Sequence, residues 1–279
     1  MKLVTIKQTA LLLAACLFFS QQINAKLILT APPRESAEQG QKLYGPLAAH
    51  LSRLLGEKVI YQHPRDWLRY QRDIRRDVFD IIFDGPHFAS WRILHLSHNP
   101  LVKLPGRLDF YFIAPKSSGN IRGPKDLILK KVCAIPPPNL TSLVLLNVLD
   151  SPIREPIIKS VKGGMPAVFK QLKEKKCVAA VVRQDYFNKK LSEDQRKDYK
   201  VIYSSEKIPN QVITASSRVR PTDQTKIIQS LTSVDGAGFQ SVEKIIRRFA
   251  GKKVTSFVNV SKKDYEGQNQ FLEGVILGW

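Results

Sequence analysis

The chain has 279 residues, 44 Lys and Arg against 24 Asp and Glu, a formal net charge of +20, and three cysteines. No internal repeat, low-complexity tract or transmembrane helix interrupts the residues after the first 25, so a repeat array is not expected. The basic residues fall in small groups (Arg75-Arg76, Lys130-Lys131, Lys173 to Lys176, Arg247-Arg248, Lys252-Lys253) with acids between many of them, a pattern that favours solvated faces over a nucleic-acid footprint.

Residues 1–25 read as an export leader. Lys2 and Lys7 give a basic start, residues 10–19 an apolar core too short to span a bilayer, and Ile23-Asn24-Ala25 a signal-peptidase end. Leu13-Ala14-Ala15-Cys16 also fits a lipobox, which would anchor the protein by lipid at Cys16, but the apolar run continues through Leu17, Phe18 and Phe19. Both readings place the mature chain in the periplasm. Its remaining length suffices for one large domain or two modest lobes.

Residues 27–30 form a first strand, followed by the turn Ala31-Pro32-Pro33-Arg34-Glu35-Ser36. Leu43, Leu47, Leu51, Leu54 and Leu55 share one helix face, and Gly56 ends that helix in a left-handed cap. Residues 59–61 are a second strand. From Asp66, Trp67, Tyr70 and Ile74 repeat at helical spacing. Residues 80–91, DIIFDGPHFASW, then read as a buried strand emptying into a tight turn that opens a helix. In α/β proteins that is where small ligands are held, so Asp84, Gly85, Pro86 and His87 are candidate binding residues.

Residues 107–114 are a further strand and residues 116–120 the most linker-like stretch. After it the series restarts, with helices at 126–129, 140–149 and 165–173 and strands at 132–135, 156–161 and 178–182. Residues 211–215 are a return crossing, and helices near 222–231 and 239–249 pack back on the first half. The expected fold class is α/β with two lobes, each a mostly parallel sheet flanked by helices, around a cleft. The boundaries are 1–25 leader, 26–115 with 208–279 for the first lobe, and 116–207 for the second.

Cys133 and Cys177 remain after cleavage, and an oxidising compartment favours pairing them. Each begins a short strand behind a Lys-Lys pair. If those strands are neighbours, a disulfide closes a loop of about 45 residues, worth roughly 4 kcal/mol on the chain-entropy estimate.

Taken together, the first strand with Glu35-Ser36, the helix ending at Gly56 with Lys58-Val59, the Asp80 to Phe83 strand with Gly85-Pro86, and Asn139-Leu140-Thr141-Ser142 before a helix resemble the phosphate, phosphite and phosphonate group of ABC-transporter substrate-binding proteins. These are exported, two-lobed and type 2 periplasmic binding protein-like. The resemblance covers nearly the whole mature chain. It implies a non-enzymatic receptor without cofactor, monomeric, binding a small anionic ligand between its lobes and presenting it to an inner-membrane ABC permease, or to a membrane sensor protein as the alternative. In phosphonate binders the oxyanion sits on a Ser-Thr-Ser run at a helix start, which corresponds here to Leu140, Thr141 and Ser142.

A helix N-terminus suits an anion on physical grounds as well. The competing reading is that Asn139 only caps a core helix behind Pro136-Pro137-Pro138. Trp67 aligns with a cleft-lining aromatic of the family and fits a core stripe with Tyr70 and Ile74 equally well. Arg183, after the last strand of the second lobe, offers a charge-assisted contact to an anion; Arg34 in the first turn is a similar, weaker case. Asp84 stands where phosphonate binders carry tyrosine, and the family's acid for a ligand amine is missing near Gly164-Met165. Asp84, His87 and His63 are the material for an enzyme, but no nucleophile elbow, HExxH, Walker loop or dinucleotide glycine pattern accompanies them. A polyanion binder is the other alternative, and no nucleic-acid partner is expected.

Overall fold

The computed structural model describes residues 26–149, 151, 153–273, 278 and 279; the expected leader and Cys16 lie outside them. In chain order the first half supplies β1 (Leu27–Thr30), α1 (Ala37–Leu55), β2 (Val59–Tyr61), α2 (Trp67–Arg75), β3 (Ile81–Asp84), α3 (Pro86–His95) and β4 (Asn99–Lys103). Next come β5 (Arg107–Leu108), β6 (Phe110–Pro115), β7 (Lys131–Ala134), α4 (Leu140–Leu149), β8 (Ile157–Ser160), α5 (Gly164–Lys173), β9 (Ala179–Arg183) and β10 (Tyr199–Ser204). The chain returns through β11 (Ile208–Pro209) and β12 (Val212–Ala215) to helices Pro221–Thr232 and Gly236–Phe249, with β13 (Val258–Asn259) beyond them.

The predicted helix signals act as expected. Ser36 accepts a hydrogen bond from Gln39 N at 3.3 Å at the start of α1, and Gly56 closes that helix with φ of 65°.

The strands form two large sheets and one two-stranded ladder. The first has the order β13-β4-β12-β3-β1-β2, with β2, β1 and β3 mutually parallel and β12 returning antiparallel to β3. The second has the order β10-β6-β9-β7-β8. Each sheet is covered by helices and has its own apolar core. Leu43, Leu47 and Leu51 of α1 join Ile227, Leu231, Val242, Ile245 and Ile246 of the late helices over the first sheet, so these pack back as expected. Phe112, Val132, Leu145 and Val181 fill one face of the second sheet. The mixed α/β architecture is the one expected, but neither sheet is mostly parallel: β12, β4 and β13 pair antiparallel in the first and β6 and β10 in the second, because the strands added where the chain crosses and returns run against the βαβ series.

The crossing between sheets differs from the sequence reading. β6, assigned above to the first lobe, pairs with β9 and β10 in the second sheet. The chain therefore crosses before Phe110, ahead of the polar stretch 116–120, and β10 stays in the second sheet before the return. The two crossings pair with each other as β5 and β11, joined antiparallel through Leu108 and Ile208. Composition marked 116–120 because it is polar and exposed, but the crossing is a paired strand ladder whose apolar side chains carry no linker signal.

Cys133 and Cys177 are disulfide-bonded with their Cα atoms 5.8 Å apart. β7 and β9 are parallel neighbours, the condition stated above for the pairing. Replacing both cysteines by serine is expected to cost about 4 kcal/mol and to lower the melting temperature by on the order of 10 °C. Calorimetry checks this; an unchanged midpoint would remove the disulfide from the stability account.

Candidate functional site

A cavity of about 90 Å³ lies between the sheets. Arg34, Trp67, Gly85, Pro86, His87, Phe88 and Gln211 line it from the first half, Phe110, Pro138, Asn139, Leu140, Met165 and Arg183 from the second, and Leu108 from the crossing ladder. The space matches the bulk of a few water molecules, well below the size of drug-like sites. No Asp or Glu is among its lining residues.

Local sequence explains how the first-sheet side is built. β3 is buried along its whole length, Gly85 caps α3 in extended conformation, and Pro86 occupies the first helical turn, where its missing N–H costs nothing. His87 then sits on that first turn, 3 % exposed. Its ring lies against Gly85, where an added Cβ would come within 2.7 Å of the imidazole. Nε2 of His87 meets the Pro138 carbonyl of the other half at 3.1 Å. A carbonyl can only accept, so Nε2 carries the proton and Nδ1 keeps its lone pair. Nδ1 is buried with no hydrogen-bond partner. Burial, then the positive charge of Arg34, push the His87 pKa down to about 3 against the opposing pull of the Pro138 carbonyl. The folded protein thus refuses a proton that the unfolded chain accepts, and this group's share of stability falls as pH drops from about 6.5 toward 3.

Three further residues of the cavity wall carry a buried polar atom without a hydrogen-bond partner: Arg34 at Nη1, Arg183 at Nε and Gln211 at Oε1. Arg183 Nε lies 3.1 Å from Asp185 Oδ1 without hydrogen-bond alignment, so its charge is partly countered. Arg34 has no such carboxylate and rests over the Phe249 ring at 5.6 Å. A larger groove of about 640 Å³ shares Arg183 with the cavity and presents Arg107, Lys189, Lys190, Arg247 and Arg248 against Asp109 and Asp185. Such a basic surround concentrates anions near the opening.

Of the predicted positions, Trp67, Gly85, Pro86, His87, Asn139, Leu140 and Arg183 line the cavity together. Both readings of Trp67 hold at once, because it also stacks on Phe88 with ring centroids 6.1 Å apart and meets Tyr70 edge-on.

Asp84 is placed elsewhere. It is fully buried, receives Arg92 through Nη1 at 2.6 Å and Nη2 at 2.9 Å, and accepts from the Tyr70 hydroxyl at 2.5 Å. Arg92, equally buried, also donates to Thr214 Oγ1 at 2.8 Å. With its oxygens so engaged, Asp84 fastens α2, α3 and β12 to the end of β3, and its charge is countered by Arg92.

Thr141 and Ser142 also turn away. The Ser142 hydroxyl donates to Ile135 O at 2.5 Å, and Thr141 Oγ1 accepts from Ile135 N at 3.0 Å and donates toward Asn139 Oδ1 at 2.9 Å. Asn139 Oδ1 caps the helix through Thr141 N at 3.0 Å. The capping reading of Asn139 describes this geometry, and Asn139 lines the cavity as well. Phe88, Leu108, Phe110, Pro138, Met165 and Gln211 join the wall without having been singled out. An apolar strand end or a loop glutamine carries no chemical signal of its own, and the crossing that brings Leu108 and Phe110 there was misplaced.

The comparisons with known proteins agree with this architecture. No curated protein sequence matches. PhnD1 of Prochlorococcus marinus in complex with methylphosphonate superposes with a TM-score of 0.64 at 13 % identity, covering 90 % of this chain and 100 % of the other. A Xanthomonas citri protein bound to ATP gives 0.68 at 12 % identity over 90 % of this chain and 96 % of the other. A binding protein component of an ABC phosphonate transporter from Pseudomonas aeruginosa gives 0.59 at 13 % identity, covering 88 % and 85 %. These show the two-lobed binding-protein fold. The family described as ABC transporter, phosphonate, periplasmic substrate-binding protein matches residues 29–265. The chain belongs to this family of non-enzymatic periplasmic substrate-binding proteins of ABC transporters.

Proposed function

We propose that the protein is a monomeric receptor that closes around one small oxyanion of the phosphate, phosphite and phosphonate class and delivers it to an ABC permease. The observation that carries this reading is the buried, unpartnered Arg34 Nη1 in the wall of a small cavity with no lining carboxylate. A buried guanidinium nitrogen left without an acceptor is costly, and a bound anion relieves that cost. The absence of an acid also disfavours ligands bearing an amine. The contact between His87 and the Pro138 carbonyl supports a closed form in which each half holds the other. Methylphosphonate is the ligand of the Prochlorococcus relative, and its bulk suits the cavity. ATP, bound by the Xanthomonas relative, is far too large for it.

The test is a thermal-shift screen with phosphate, phosphite, methylphosphonate, small carboxylates and ATP, since a ligand of the native state raises the melting temperature. At 100-fold excess over Kd, stabilisation of about 2.7 kcal/mol is expected from at least one of the three phosphorus oxyanions. No response to any of them would reject the oxyanion site.

A further inference from the structure

We infer that the cavity selects an oxyanion that still carries one proton, with His87 Nδ1 accepting the ligand's hydroxyl hydrogen and Arg34 holding the negative charge. This rests on the oxyanion reading above and names the ligand's protonation state.

The argument starts from the tautomer. Because Nε2 is committed to the Pro138 carbonyl at 3.1 Å, Nδ1 presents a bare lone pair. That atom is buried and has no partner in the protein, so a ligand must bring it a donor or leave it unsatisfied. An oxygen without a proton would set lone pair against lone pair. Gln211 Oε1 is a second buried atom without a partner in the same wall, and its amide can turn to offer either a donor or an acceptor. The geometry thus asks for one negative charge at Arg34 and one hydroxyl at His87. A phosphonate, phosphite or phosphate monoanion has both; sulfate and simple carboxylates at neutral pH have the charge and lack the hydroxyl.

In the free protein the imidazole is neutral at physiological pH. Arg34 faces it from the turn after β1, Arg183 lines the same cavity from the end of β9, and Arg92 lies on its own helix. Asp84, the nearby acid, is consumed by Arg92 and Tyr70. Burial and then Arg34 hold the His87 pKa at about 3 in the free protein, so at neutral pH the proton shared in the complex arrives with the ligand.

Calorimetric titration with methylphosphonate, phosphate and sulfate over a pH series tests this without altering the protein. The association constant for methylphosphonate should be level below the ligand's second pKa (about 6 for a phosphate ester) and fall about tenfold per pH unit above it; sulfate should bind at least about 100-fold more weakly than methylphosphonate at the lowest pH. Replacing His87→Gln, whose amide can turn a donor toward the ligand, should flatten the slope and admit sulfate. Sulfate binding as tightly as methylphosphonate, a level or rising affinity above the second pKa, or an unchanged slope in a folded His87→Gln variant would each overturn the inference while leaving the oxyanion reading in place. Absence of binding by every oxyanion at every pH would instead remove the reading on which it rests.

Discussion

Replacing Asp84→Ala is expected to destabilise the protein by about 3–5 kcal/mol and to lower its melting temperature by on the order of 10 °C. The reason is the state in which it leaves Arg92. That guanidinium is fully buried and donates two of its hydrogen bonds to Asp84, at 2.6 and 2.9 Å. Without the carboxylate, Thr214 Oγ1 remains, and a hydroxyl does not neutralise a buried charge. The Tyr70 hydroxyl also loses its acceptor; burial and the Asp84 carboxylate hold that phenol well above its ordinary pKa, so it stays a donor in need of a partner. Removing both charges together, as Asp84→Leu with Arg92→Met, should recover most of the loss, because breaking a buried pair costs more than replacing it. Denaturant unfolding of the single and double variants measures the coupling. A stable Asp84→Ala protein that has lost oxyanion binding would instead give Asp84 to the ligand.

Replacing Arg34→Met is expected to weaken oxyanion binding by about 100-fold or more, the equivalent of a charged hydrogen bond near the upper end of its range. Stability without ligand should change by less than about 1 kcal/mol. The two effects separate because Arg34 is half-buried and Nη1 has no hydrogen-bond partner, while its guanidinium lies over the Phe249 ring. Methionine gives up that cation–π contact, worth about 0.5–1 kcal/mol, and places an apolar side chain beside the ring in its stead. Titration calorimetry and denaturant unfolding on the same preparation check both halves. Unchanged affinity would shift the anion to Arg183 or to the basic groove and remove Arg34 from the site.

Much of the site was legible because its framing is local. The apolar run from Phe79 to Phe83, the Gly85-Pro86 break and the helical spacing after it placed His87 at a strand-helix junction, and the structure has β3 and α3 there. Arg34 was visible as the one cation of the first turn, though nothing near it in sequence shows that its counter-charge is missing. Asp84 was misjudged for the opposite reason. Its partner Arg92 lies eight positions on, and only the packing of α3 across the sheet, with Thr214 arriving from β12, turns that pair into a buried network. Thr141 and Ser142 stand in the predicted place, at the start of α4. Their hydroxyls bond back to Ile135, a choice made by the path of the Pro136-Pro137-Pro138 loop.

By itself, then, the sequence determined the elements and their alternating order, because caps, breaks and apolar periods act over a few residues and are written in consecutive positions. It also determined that Cys133 and Cys177 would be paired, given neighbouring strands. Only the tertiary structure decided which sheet receives β6, where the chain crosses between halves, and which polar atoms keep a partner. Those outcomes depend on contacts between residues far apart in the chain, where a buried group's energy is set by what happens to face it. Pro138 facing His87 across the two halves is such a contact, and it leaves Nδ1 without a partner in the protein.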